Sequence, residues 1–99
     1  MPLFMVKQEV FDWVKNGYKT IEVKKGKQMA GEKAVYTCGS QRLRGKIIKK
    51  QEDTLKELFR LNDYKKIIPT ANSPEEAEAY FKKLYEDTTG IFSAYTIEF

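Results

Sequence analysis

The segment RLRGKIIKK, residues 42–50, alternates with a period of two. Leu43, Gly45 and Ile47 share one face of an extended chain, and Arg42, Arg44 and Lys46 share the other. A glycine interrupts the apolar face. Glycine inside a strand has no side chain to pack, so it marks a bulge, a bend or a close approach by a neighbour. The segment therefore predicts a curved sheet of the kind small barrels require. Its charged face suits two roles: a solvated strand kept from aggregating by its cations, or a track for phosphates.

The rest of the chain supplies partners for that strand. LFMV, at 3–6, reads as a short strand. QEVFDWVKNG follows as a helix with Val10, Trp13 and Val14 on one face and Asn16-Gly17 as its stop. In TIEVK, Ile21 and Val23 point one way, and Thr20, Glu22 and Lys24 the other. AVYTC is rich in β-formers, and GSQ turns it into the strand at 42–50. Asp53 or Thr54 can cap a short helix whose apolar face is Leu55, Leu58 and Phe59. NDYKKIIPTAN predicts a loop with Ile67 and Ile68 pinned into the core. SPEEAEAYFKKLYED is the clearest helix: Ser73 caps it, Pro74 fits its first position, Glu76 completes a capping box, and Ala77, Phe81 and Leu84 form its core stripe beside Tyr80. Its acidic start and Lys82-Lys83 near its end suit the helix dipole. GIFSAYTIEF predicts a last strand with Ile91, Tyr95, Ile97 and Phe99 on one side.

The order is strand, helix, three strands, two helices, strand, which is not the regular alternation of a doubly wound sheet. The predicted class is α+β: a small bent mixed or antiparallel β-barrel of about five strands, buttressed by two to three helices. With 99 residues and 41% apolar content, residues 1–99 read as a single domain with one modest core.

Composition removes several chemistries. The chain has no histidine, so Ser-His-Asp and Cys-His catalysis are excluded, and Cys38 has no imidazole with which to build a zinc site. Cys38 reads as a packing residue, and no cofactor is expected. A lone cysteine makes no internal disulfide, and no apolar run approaches the roughly 18 residues of a membrane span. A cytoplasmic domain without a membrane partner is the expectation. The net charge of +4 makes polyanions plausible partners.

Gly17-x-Lys19-x-x-Glu22-x-Lys24, followed by Gly31-Glu32 and Val35-Tyr36, resembles the signature of the ASCH domain, a branch of the PUA-like superfamily. The resemblance continues through LKELFRLNDYKKIIP, SPEEAEAYFKKLY and AYTIEF, covering nearly the whole chain. Two positions depart from the pattern. Lys24 stands where the family has arginine, keeping the charge but losing the planar fork, and Gly31-Glu32 replaces Gly-Asp.

The resemblance implies a barrel with a cleft between barrel and helices, where Lys19, Glu22 and Lys24 gather. It also implies a partner that is RNA, a nucleoside or a nucleotide. Arg42, Arg44 and Lys46 would flank the cleft electrostatically. Tyr36 and Tyr95, on strands, read first as core or half-buried packing and second as rings for base stacking. One bacterial branch of the family hydrolyses the acetyl amide of N4-acetylcytidine, using a motif lysine and a threonine three residues later. Lys19 matches that lysine, but Glu22 occupies the threonine position. In an amide hydrolase Lys19 would be the base and Thr20 the nucleophile, with Glu22 beside them in the site, and the more distant acidic partner would fall in the TANSPEE segment. The glutamate favours binding over catalysis.

Overall fold

A Cβ on Gly45 would lie 2.6 Å from Ile97 Cγ2 and 2.9 Å from Phe99 Cε1. Any side chain there would have to displace the Ile97 and Phe99 side chains, so this glycine permits the close approach that the sequence predicts. The computed structural model describes residues 2–99. The strands are β1 (Leu3–Met5), β2 (Ile21–Lys25), β3 (Lys33–Cys38), β4 (Gln41–Thr54) and β5 (Ile91–Glu98). The helices are α1 (Gln8–Lys15), α2 (Leu55–Leu61), α3 (Tyr64–Ile67) and α4 (Pro74–Leu84). The strands form one mixed sheet in the order β1-β3-β4-β5-β2. It curls into a half-barrel, and the architecture is the α+β class expected.

Only β1 and β3 run parallel; the other pairs are antiparallel. Gly39, at φ 59°, makes the two-residue turn that sets Cys38 opposite Gln41. β4 runs longer than 42–50 and shifts register against β5 between Ile47 and Lys49. That bulge supplies the remaining bend. Lys24 Nζ, on one edge strand, stands 5.7 Å from the centre of the Phe4 ring on the other. The two sheet edges thus approach each other across a seam.

Two apolar clusters hold the chain together. Phe4, Phe11, Val14, Ala34, Tyr36, Ile47, Tyr95 and Ile97 fill the concave side of the sheet. Ile21, Val23, Phe92 and Ala94 pack outward against Leu55, Leu58, Phe59, Ile67, Ile68, Ala77 and Phe81 of the helical layer. α1 serves both, because Phe11 and Val14 enter the first cluster while Trp13 joins the second. A single face of Val10, Trp13 and Val14 is therefore corrected: the helix lies at the end of the half-barrel, where two surfaces need covering.

Further corrections follow from position. Residues 64–67 are a helical turn rather than loop, because the Asp63 carboxylate accepts from Lys65 N and caps it. Ile67 and Ile68 are buried as expected. Ser73 does cap α4, accepting from Glu76 N, but the Glu76 carboxylate reaches one residue further back, to Asn72 N. Leu84, expected in the core stripe, is 60% exposed, since α4 ends there. β5 lies between β4 and β2 with both faces covered, so Phe92, Ser93 and Ala94 are buried alongside Tyr95 and Ile97. Ile91 and Phe99, beyond that cover, are exposed.

Candidate functional site: a cleft between β2 and α4

The approach to the site is set by the end of α1. Gly17, at φ 80°, reverses the chain, and both Tyr18 N and Lys19 N donate to Trp13 O. This closure delivers Lys19 to the head of β2 next to Trp13. The Lys19 ammonium turns inward: Nζ donates to Ile21 O at 2.9 Å and to Ile67 O at 2.6 Å. Those bonds tie an edge strand to α3. The residue is 3% exposed, and burial pushes its pKa down, opposed by the Glu22 charge and reinforced by Lys24.

Glu22 sits between two cations. Its Oε1 is 3.8 Å from Lys19 Nζ, and its Oε2 is 3.9 Å from Lys24 Nζ. The Glu22 side chain is 7% exposed, whereas that of Lys24 is 33% exposed. Oε1 is sealed from solvent and has no hydrogen-bond partner among the described residues. Any ligand contact with this carboxylate therefore falls to Oε2. Tyr36, across the barrel interior, has its pKa raised well above the ordinary range by burial and then by the Glu22 charge, so its hydroxyl stays protonated.

These three charges form the floor of a cleft of about 300 Å3. Its walls are Trp13 from α1 and Tyr80, Phe81 and Tyr85 from α4 and its C-terminal cap, with Met5 and Leu84 at the rim. The Trp13 and Tyr80 ring centres are 6.5 Å apart and tilted by 52°. Lys7 Nζ stands 5.5 Å from the centre of the Tyr80 ring. A slot with aromatic walls and a few polar groups on its floor suits a planar heteroaromatic ring, with the floor placed to meet its polar edge.

Other residues expected at a site lie elsewhere. Thr20 does not line the cleft; its N donates to Lys66 O and its carbonyl accepts from Ile97 N, so the chain there is clamped into the fold. Tyr36 is 1% exposed within the barrel cluster, and no face of its ring is free for stacking. Arg42, Arg44 and Lys46 project from the outer face of β4, and none lines the cleft. The sequence reads Trp13, Tyr80 and Tyr85 as packing residues. The signal available is proximity: Trp13 lies one helical turn before Gly17, which leads into the charged motif. Among the described residues, no three His, Cys, Asp or Glu side chains come together as metal ligands, and no helix is long and apolar enough to cross a membrane.

No protein-family profile and no curated protein matches the chain. Solved structures do. The hypothetical protein PH0355 is similar with a TM-score of 0.79 at 20% identity, over 99% of this chain and 98% of that one. Protein PF0455 from Pyrococcus furiosus gives 0.72 at 16% identity, over 98% and 94%. The ASCH protein from Zymomonas mobilis gives 0.69 at 11% identity, over 98% of this chain and 66% of its own. Identities this low speak for the fold alone, and that fold is of the ASCH type.

Proposed function

We propose that the chain is an RNA- or nucleotide-binding module that holds one base in the cleft between β2 and α4. The observation that carries this reading is the pairing of an aromatic slot with a floor of acceptor and donor. Tyr80 and Tyr85, half-buried in front of the buried Trp13, supply stacking surface, worth about 1–3 kcal/mol per base in comparable sites. Glu22 Oε2 accepts from an N–H on the base edge, and Lys24 donates to a neighbouring ring nitrogen or carbonyl. Lys19 acts beneath them, holding Glu22 and the backbone in place. The ASCH-type fold of the Zymomonas mobilis protein is consistent with this reading.

An amide hydrolase draws less support. Its base would be Lys19, yet that ammonium is already engaged by two carbonyl oxygens, and Thr20 stands outside the cleft. The test uses Trp13, the one tryptophan of the sequence, as a built-in reporter. Titration with structured and single-stranded RNA should change its fluorescence, and Tyr80→Ala and Lys24→Ala should each weaken binding. No binding of any RNA at low salt would sink the proposal.

A further inference from the structure

The cleft does not end at β2. A second hollow of about 390 Å3 opens in the seam between the sheet edges, with Leu3, Phe4 and Met5 on one side and Lys24, Lys25 and Lys27 on the other. Met5 and Lys24 line both spaces, so they adjoin. Their chemistry differs. The first has aromatic walls and a carboxylate in its floor, whereas the second is lined by three lysines and no carboxylate.

We infer that the ligand is a single strand of nucleic acid, bound with one base in the cleft and its adjoining phosphates in the seam on Lys24 and Lys27. The inference rests on the base-binding reading of the cleft and adds the class of ligand. A free nucleoside would fill the first space and leave Lys27 without a counter-charge. A mononucleotide brings one phosphate to the border at Lys24. The lysines at 24 to 27 extend over up to roughly 10 Å of chain, more than a single phosphate group spans. A strand meets both requirements, because its backbone must leave the base pocket in some direction, and the cations mark that direction.

The lysines are not equally free. Lys25 Nζ donates to Asp87 O at 2.6 Å and lies 4.0 Å from the Asp87 carboxylate, so its ammonium is held by a residue outside the seam. Lys24 shares its charge with Glu22. Lys27 is exposed and makes no hydrogen bond or ion pair among the described residues. It is therefore the position where a phosphate contact can be removed with little effect on the fold.

The experiment compares adenosine, adenosine monophosphate and a hexa-adenylate strand by Trp13 fluorescence, for the native chain, Lys27→Ala and Lys27→Glu, at several salt concentrations. The hexanucleotide should bind at least about tenfold more tightly than the nucleoside. Lys27→Ala should weaken the strand alone and reduce its log–log salt dependence by about 0.7. Lys27→Glu should weaken it further, while adenosine binding stays unchanged in both variants. Equal affinity for mononucleotide and hexanucleotide would overturn the inference, as would a Lys27→Glu chain that binds the strand normally. In either case the base-binding reading survives, since adenosine still reports on the cleft. A failure of all three ligands and of longer RNA would remove both. Displacement of the strand by polyglutamate at matching affinity would reassign the seam to an acidic peptide and also overturn the inference.

Discussion

β2 and β4 carry the same kind of sequence, charged residues alternating with apolar ones, and their charges meet opposite fates. On β2, Glu22 and the preceding Lys19 are buried, and Lys24 is two-thirds covered. On β4, Arg42, Arg44 and Lys46 stand in solvent, with Lys33 directly opposite Lys46 and no ion pair to any of them among the described residues. The difference lies in what covers each strand. Helices pack on the Ile21 and Val23 face of β2, while its other face looks across the barrel to Tyr36, with Tyr95 beside Glu22 on the neighbouring strand. The outward face of β4 is exposed at Arg42, Arg44 and Lys46. Alternation assigns residues to two faces, but only the tertiary arrangement decides how many faces are wet.

That contrast can be broken most forcefully at Glu22. Glu22→Ala leaves Lys19 buried without its counter-charge and should destabilise the chain by about 3–5 kcal/mol, measured as a lower urea midpoint. A loss below 1 kcal/mol would mean that the pair is more solvated than its burial indicates. Next in size is Gly45→Val on the inward side of β4. Its Cβ meets Ile97 at 2.6 Å, so a loss of about 1–3 kcal/mol is expected, whereas an unchanged midpoint would show that the curve can relax.

A smaller effect concerns pH. The folded-state pKa of Lys19 is depressed, so at pH values between it and 10.5 the unfolded chain holds a proton that the folded chain has released. Stability rises with pH across that interval. Tyr36 acts in the opposite sense. Its folded pKa is raised, so above pH 10.0 the unfolded chain loses a proton that the folded chain keeps, and stability falls. Denaturation across alkaline pH should show Tyr36→Phe removing the fall and Lys19→Met removing the rise. A profile identical in all three chains would discard both assignments. Smallest of all is Arg44→Ala on the wet face of β4, which should move stability by less than about 0.5 kcal/mol. A larger loss would give that face a structural partner.

How far the sequence exposed this arrangement depended on whether a signal was local. Ser73, Pro74 and Glu76 start a helix through their own chemistry, and Gly45 marks a bend through its missing side chain, so both were legible. The ASCH-type resemblance was legible from the motif at 17–24 and its sequel. Tyr36 was not. A tyrosine on an alternating strand looks half exposed until Phe4, Tyr95 and Phe99 are known to surround it, and those arrive from β1, β5 and the chain end. Tyr80 and Tyr85 posed the converse problem. Both lie on the helical side of the molecule as packing residues would, yet the half-barrel edge stops short of them and leaves a slot. The α3 turn was missed because its four residues are too short to show a helical period.

The pairing of β2 sets a timetable for synthesis. β2 bonds within the sheet to β5 alone, with Ile21 opposite Thr96, while β1, β3 and β4 are neighbours that can assemble earlier. Contacts so distant in sequence form slowly and late. On a ribosome, Lys19 and Glu22 remain in water until the final strand has emerged, and the cleft cannot exist before then. A nascent chain interrupted ahead of residue 91 would carry every floor and wall residue of the cleft and still have no cleft to offer a ligand.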